Sequence, residues 1–149
     1  MGNLTKAQSM AVTVLRILLG WLFFYAGITK ILDASWTATS FLESAKTFPG
    51  FYSLLAHPLA IGLINVVNEW GLTLLGLSLI FGFWVRLSSL LGAITMVLYY
   101  FAANSFPSVP NGFLVDQHII YAAILILFRY LDAGLYFGLD GWKAARSSE

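Results

Sequence analysis

The chain is predicted to be an all-α integral membrane protein, a four-transmembrane-helix bundle with a short amphipathic helix in its first outer loop. Three observations carry that reading. Of 149 residues, 59% are hydrophobic and only 10% are charged, against about 25% charged in an ordinary soluble domain. The mean hydropathy, +0.81, points the same way. Four apolar runs also reach the length of about 20 residues that a helix needs to cross the hydrocarbon core. A soluble enzyme and a disordered chain are excluded by this composition. The net charge of +1 offers no basic surface to a polyanion, so nucleic acid is not an expected partner. The expected partner is the lipid bilayer.

The spans follow in order. The first covers about residues 9–32, interrupted only by Arg16 and Lys30. The second, about 59–82, follows Pro58, a residue suited to a first helical turn, and carries one charge, Glu69. The third, about 86–103, starts at Arg86 and is uncharged beyond it. The fourth, about 113–131, carries Asp116, His118 and Arg129. Between the first two spans, Ala38, Phe41, Leu42, Ala45 and Phe48 recur at helical spacing, with Glu43 and Lys46 turned away. That pattern predicts an amphipathic helix lying on the membrane surface. The Pro- and Gly-containing stretch 104–112 is expected to be a plain turn region. Residues 1–149 are read as a single domain.

Basic residues set the expected orientation. Lys6, Arg16, Arg86, Lys143 and Arg146 fall toward one face, and Lys30 and Lys46 toward the other. Both termini are therefore expected in the cytoplasm of a multi-pass protein of the cytoplasmic membrane. The first span is longer than a signal-peptide core and has an internal Arg, so it is read as retained.

Charges inside a membrane are costly and ask for a partner or a function. Helical spacing aligns Arg16, Gly20, Gly27 and Lys30 on one face of the first span. It aligns Asn65, Asn68, Glu69, Thr73 and Gly76 on the second, and Tyr100 with Asn104 on the third. On the fourth, His118, Tyr121 and Arg129 align, with Asp116 nearly opposite. Rise per residue puts Glu69 about 16 Å and Arg16 about 20 Å from the outer surface, close enough in depth to pair. His118 falls about 8 Å deep by the same count. The expected site is a polar cleft open to the outer half of the bilayer. In it Glu69, His118 and Arg16 are the candidate catalytic groups, and Lys30, Asn65, Asn68, Tyr100 and Tyr121 the candidate quinone or substrate ligands. Glu69–Arg16 reads equally as a structural ion pair.

There is no cysteine and there are two histidines, His57 and His118. A disulfide relay, a thiolate nucleophile and a Cys-held metal or iron–sulfur centre are excluded for this chain alone. No metal or covalent cofactor is expected, and any electron carrier must be bound non-covalently. A membrane quinone suits that environment.

Arg16 to Gly20, followed by Ala26, Gly27, Lys30 and Asp33, resembles the opening signature of DoxX/DoxD-type membrane proteins. Glu69, Gly76, Gly82 and Arg86 are similar to that family's second signature, and Gly134, Gly138, Leu139 and Asp140 to its C-terminal element. The resemblance implies a four-helix protein of the bacterial or archaeal membrane. Its best-defined members are similar to the DoxD subunit of thiosulfate:quinone oxidoreductase, which works with a DoxA subunit. In that reaction thiosulfate is oxidised and a membrane quinone is reduced.

Three functions remain open at this level. The leading one is a subunit of a quinone-linked oxidoreductase, with a DoxA-like second subunit or an oligomer as partner and thiosulfate as a candidate donor. The second is a non-catalytic scaffold that anchors a redox or stress-response partner. A small proton-coupled transporter is the third, disfavoured because inverted repeats and broken helices are not evident.

Overall fold

The structure, a computed structural model, describes residues 4–110 and 112–147. It is mostly helical. Helix α1, Lys6–Leu32, starts at a capping box in which Thr5 Oγ1 accepts from Gln8 N (3.3 Å) and Gln8 Oε1 accepts from Thr5 N (2.8 Å). Two short helices follow, α2 (Thr39–Glu43) and α3 (Pro49–Leu55). Helix α4, Pro58–Phe81, begins with Pro at its first turn and with His57 Nδ1 accepting from Leu59 N at 3.3 Å. It stops at Gly82, whose φ of +67° is the left-handed conformation that ends helices. Helix α5, Val85–Ala103, leaves directly from that turn. Helix α6, Gln117–Tyr130, is followed by a 3-10 turn, Ala133–Leu135, and a short surface helix α7, Leu139–Arg146.

Helices α1, α4 and α5 are each long and apolar enough to cross a membrane. Helix α6 is equally greasy but spans 14 residues rather than the 19 expected, because Asp116 caps it and residues 113–116 are not helical. The stretch after α5 is more ordered than a plain turn. Strands β1 (Ser108–Val109) and β2 (Gly112–Phe113) pair antiparallel there. The helix expected over residues 36–48 is also different. Only α2 is helical, and its apolar stripe turns inward: Ala38, Leu42 and Ala45 pack with Tyr52 and Ala102 in a small second core. An apolar stripe finds cover on protein as readily as on lipid.

Antiparallel α1 and α4 form one tight pair, and α5 with α6 the other. A Cβ on Gly76 would lie 2.3 Å from Phe24 N and 2.6 Å from Gly20 O. No side chain fits that seam, so the two backbones touch. Leu19, Phe23, Leu75, Leu79, Leu125 and Phe128 fill the space between the pairs. Leu18, Trp21, Leu63, Trp70, Leu74 and Leu91 point outward and are exposed. Long helices that expose this much apolar surface belong in lipid, so the chain is a multi-pass membrane protein. One end of the bundle holds residues 33–57, 104–110 and 112–116 (the loop end). The other holds the Gly82–Trp84 turn and the segment after α6 (the terminal end).

Candidate functional site

The glycine seam fixes the register of α1 on α4 and thereby the depth of their polar residues. Gly27 lies against Thr73 and the Glu69 carbonyl, and Gly82 against the Arg16 guanidinium. Glu69 is thus level with Gly27, and Arg16 lies 11 residues, about 16 Å of helix, further along. The expected Glu69–Arg16 pair does not form. Counting each span inward from its own assumed boundary ignored where the helices touch.

Arg16 is instead the hub of the terminal end. It is 1% exposed, and its Nη1 donates to Ala133 O (2.6 Å) and Tyr136 O (3.1 Å), its Nη2 to Phe137 O (3.4 Å). These carbonyls belong to the turn after α6, which Arg16 straps onto α1. Asp140 completes the strap. Its carboxylate accepts from Trp84 N (2.9 Å) and Val85 N (3.1 Å), capping α5 from 55 residues away in sequence. Arg86 Nε sits 3.0 Å from Asp132 Oδ1, and Arg129 donates to the Arg86 carbonyl at 2.8 Å.

The other candidates lie toward the loop end. His118, in the first turn of α6, has Nδ1 2.6 Å from Asp116 Oδ2. Asp116 is the helix cap, with an extended backbone, so the helical wheel that set it opposite His118 does not apply to it. Its Oδ1 accepts from His118 N (2.9 Å) and Ile119 N (3.2 Å), and its Oδ2 also from Asn104 Nδ2 (2.8 Å). The His118 ring meets Tyr99 edge-on, centroids 6.1 Å apart, and the Tyr99 hydroxyl donates to Asn68 Oδ1. Phe41 packs edge-on against the far side of Tyr99 at 5.8 Å. A connected chain results: Asn104, Asp116, His118, Tyr99, Asn68. Glu69 is the next residue on α4, half-buried, and its carboxylate has no hydrogen-bond or ion-pair partner among the described residues.

Not every expected ligand joins this chain. Tyr100 is one residue on and faces away, buried, donating to Leu114 O at 2.7 Å. Asn65 is occupied with the first loop, accepting from Ala38 N (3.0 Å) and donating to Thr37 Oγ1 (3.3 Å). Lys30 donates to Ala26 O (2.7 Å) and lies over the Trp36 ring, 5.3 Å from its centroid. Tyr121 packs edge-on to Phe23 at 6.1 Å. Tyr99, Asp116 and Asn104 are the members that sequence reasoning passed over. Asp two residues before His at a helix start was the available signal, since Asp is a preferred cap.

The dyad dictates the chemistry of the imidazole. With Nδ1–H given to a carboxylate, Nε2 of the neutral ring is the free lone pair and a proton acceptor. Nε2 has no protein partner among the described residues, and the His118 side chain is 17% exposed. The loop end thus offers an aromatic wall, one proton acceptor and, on α4, one unpaired carboxylate.

Comparison with known proteins adds one match. The family model described as DoxX matches residues 11–105, well over half of the chain. No curated protein and no solved structure matches.

Proposed function

The chain belongs to the DoxX family of membrane proteins, and from that premise we propose that it is the membrane subunit of a quinone-linked oxidoreductase, with its quinone site at the His118 cluster. One observation carries this reading: the Asp116–His118 dyad leaves Nε2 free on a half-buried ring packed edge-on against Tyr99, whose hydroxyl reaches Asn68, the neighbour of Glu69 on α4. A quinone, when bound, supplies the two-electron chemistry that no side chain of this cysteine-free protein can supply. The chain's own residues bind and move protons. His118 takes or returns a proton at Nε2, and Asp116 stabilises the imidazolium that forms. Glu69 offers a second acceptor, and Asn68 with Tyr99 holds the headgroup orientation. Lys30 adds positive potential at the loop end, which would draw in an anionic donor such as thiosulfate. A second, DoxA-like subunit would present that donor. The distribution of basic residues supports termini in the cytoplasm, and with them a site facing the outer side of the cytoplasmic membrane.

Titrating the purified protein in detergent with a short-chain ubiquinone tests this. Trp70 and Trp36, beside Glu69 and Lys30, are the fluorescence reporters. Saturable quenching is expected, weakened about tenfold in His118→Gln and in Glu69→Gln. Equal quenching in both variants sinks the site.

A scaffold function has its own supporting observation. Four of the residues resembling the family signature, Arg16, Gly82, Gly138 and Asp140, converge on the strap at the terminal end, whereas Lys30 and Glu69 lie toward the loop end. Such a strap stabilises a platform. If no quinone binds, capture of a partner that depends on the loops is the expected activity.

A further inference from the structure

The terminal end carries a feature that neither the strap nor the His118 cluster uses. Helices α4 and α5 leave between them an apolar groove of about 670 Å³, walled by Gly71, Leu74 and Phe81 on one side and Leu87 and Leu91 on the other. Its α4 wall runs from Val67 to Phe81, about 21 Å of helix. One leaflet of hydrocarbon is about 15 Å deep, so a groove starting at the interface reaches past mid-membrane.

Its mouth is marked as an interface. Trp84, exposed, stacks on Phe83 with centroids 5.0 Å apart, and Trp142 lies on nearby α7. Aromatic residues of this type sit at headgroup level. Lys143 Nζ lies 5.1 Å above the Phe83 ring, directly over a wall of the groove. A second cavity of about 490 Å³ shares Trp84 and Leu87 with the groove and is lined by Arg86. The nearby acids are occupied: Asp140 caps α5, and Asp132 faces Arg86 Nε. Lys143 and Arg146 have aromatic faces as neighbours and no carboxylate among the described residues. Cationic charge therefore stands over the open end of an apolar channel that reaches past mid-membrane.

We propose that this groove is a binding site for an anionic phospholipid, one acyl chain lying between α4 and α5 and the phosphate held by Lys143 and Arg86. A helix from a second copy, about 10 Å across, would fill the groove but leave Lys143 at its mouth without a counter-charge. The inference is independent of the quinone reading, since the groove opens at the terminal end and shares no lining residue with the His118 cluster.

Native mass spectrometry of the full chain, released from detergent with equimolar phosphatidylglycerol and phosphatidylcholine, tests it. The wild type is expected to retain phosphatidylglycerol with a preference of about tenfold. Gly71→Phe plugs the groove, and a Cβ there meets only Val67 Cγ1 at 3.9 Å, so the helix can carry the larger residue and the variant should fold and lose the lipid adduct. Leu91→Trp is the second plug. Lys143→Glu should keep adducts but lose the preference between headgroups. Equal retention of the two lipids by the wild type overturns the proposal. So does undiminished phosphatidylglycerol binding in the plugged variants, or a dimer that excludes lipid from this face.

Discussion

Asp116 serves His118 twice: its Oδ1 caps the backbone of the turn that carries His118, and its Oδ2 holds the ring at Nδ1, 2.6 Å away. Position and tautomer of the imidazole are thereby set by one carboxylate. The two roles separate by mutation. Asp116→Asn keeps a capping oxygen, so thermal stability in detergent should hold, while the loss of negative charge should weaken quinone binding by about tenfold. Asp116→Ala should weaken binding equally and also cost about 1 kcal/mol of stability. Loss of stability in both variants with unchanged binding would reduce Asp116 to a cap.

Arg16 and Glu69 should behave as unrelated residues. Removing the guanidinium in Arg16→Met leaves three carbonyls of the Ala133–Phe137 turn without their donor. Hydrogen bonds from a charged donor contribute about 1.5–3 kcal/mol each, so even if the long Nη2 contact counts for nothing a loss of at least about 3 kcal/mol is expected. Limited proteolysis should then cut near residues 133–140. Arg16→Lys should not restore stability, because an ammonium cannot span the same carbonyls. Glu69→Gln should leave melting unchanged. A double-mutant cycle with a large coupling energy would restore the ion pair that the register of α1 on α4 argues against.

How much of this was legible in the sequence depends on what each residue answers to. Span positions came from hydropathy, and α1, α4 and α5 begin within three residues of their expected starts because lipid thickness sets a length that one chain segment meets alone. Depth across helices was not legible. It depends on which glycines touch, and the Gly27–Thr73 and Gly76–Phe24 contacts are set only when two helices meet. Tyr99 and Tyr100 show the same limit, since both lie in the last two turns of α5 and only packing decides which meets His118. Asp140 could not be read as the cap of α5, because a cap 55 residues away leaves no local pattern.

The glycines of α1 and α4 should divide sharply by position. Gly62 has open space around its Cβ, so Gly62→Ala gains helix propensity, up to about 1 kcal/mol. A Cβ on Gly27 would lie 2.4 Å from Thr73 N. Backbone cannot move aside as a flexible side chain does, so Gly27→Ala should lower stability by about 1–3 kcal/mol despite the same propensity gain. Thermal melts of both variants in one detergent check the contrast, and equal melting temperatures would show that the seam is loose.

The two adjacent tyrosines of α5 give the sharpest test of the site, because the same substitution has opposite meanings at each. Tyr100 is 2% exposed and donates to Leu114 O, a contact that ties the second loop to α5. Tyr100→Phe should cost about 1 kcal/mol of stability and leave quinone binding intact, although helical spacing alone had favoured Tyr100 as the ligand. Tyr99 donates to Asn68 and presents its ring to His118. Tyr99→Phe keeps the ring contact but frees Asn68 Oδ1, which removes the element that orients a headgroup beside Nε2. Quinone affinity should fall several-fold, about 1 kcal/mol, with only a small change in melting temperature. The reverse pattern, binding lost in Tyr100→Phe and kept in Tyr99→Phe, would move the site toward the second loop and away from the His118 cluster.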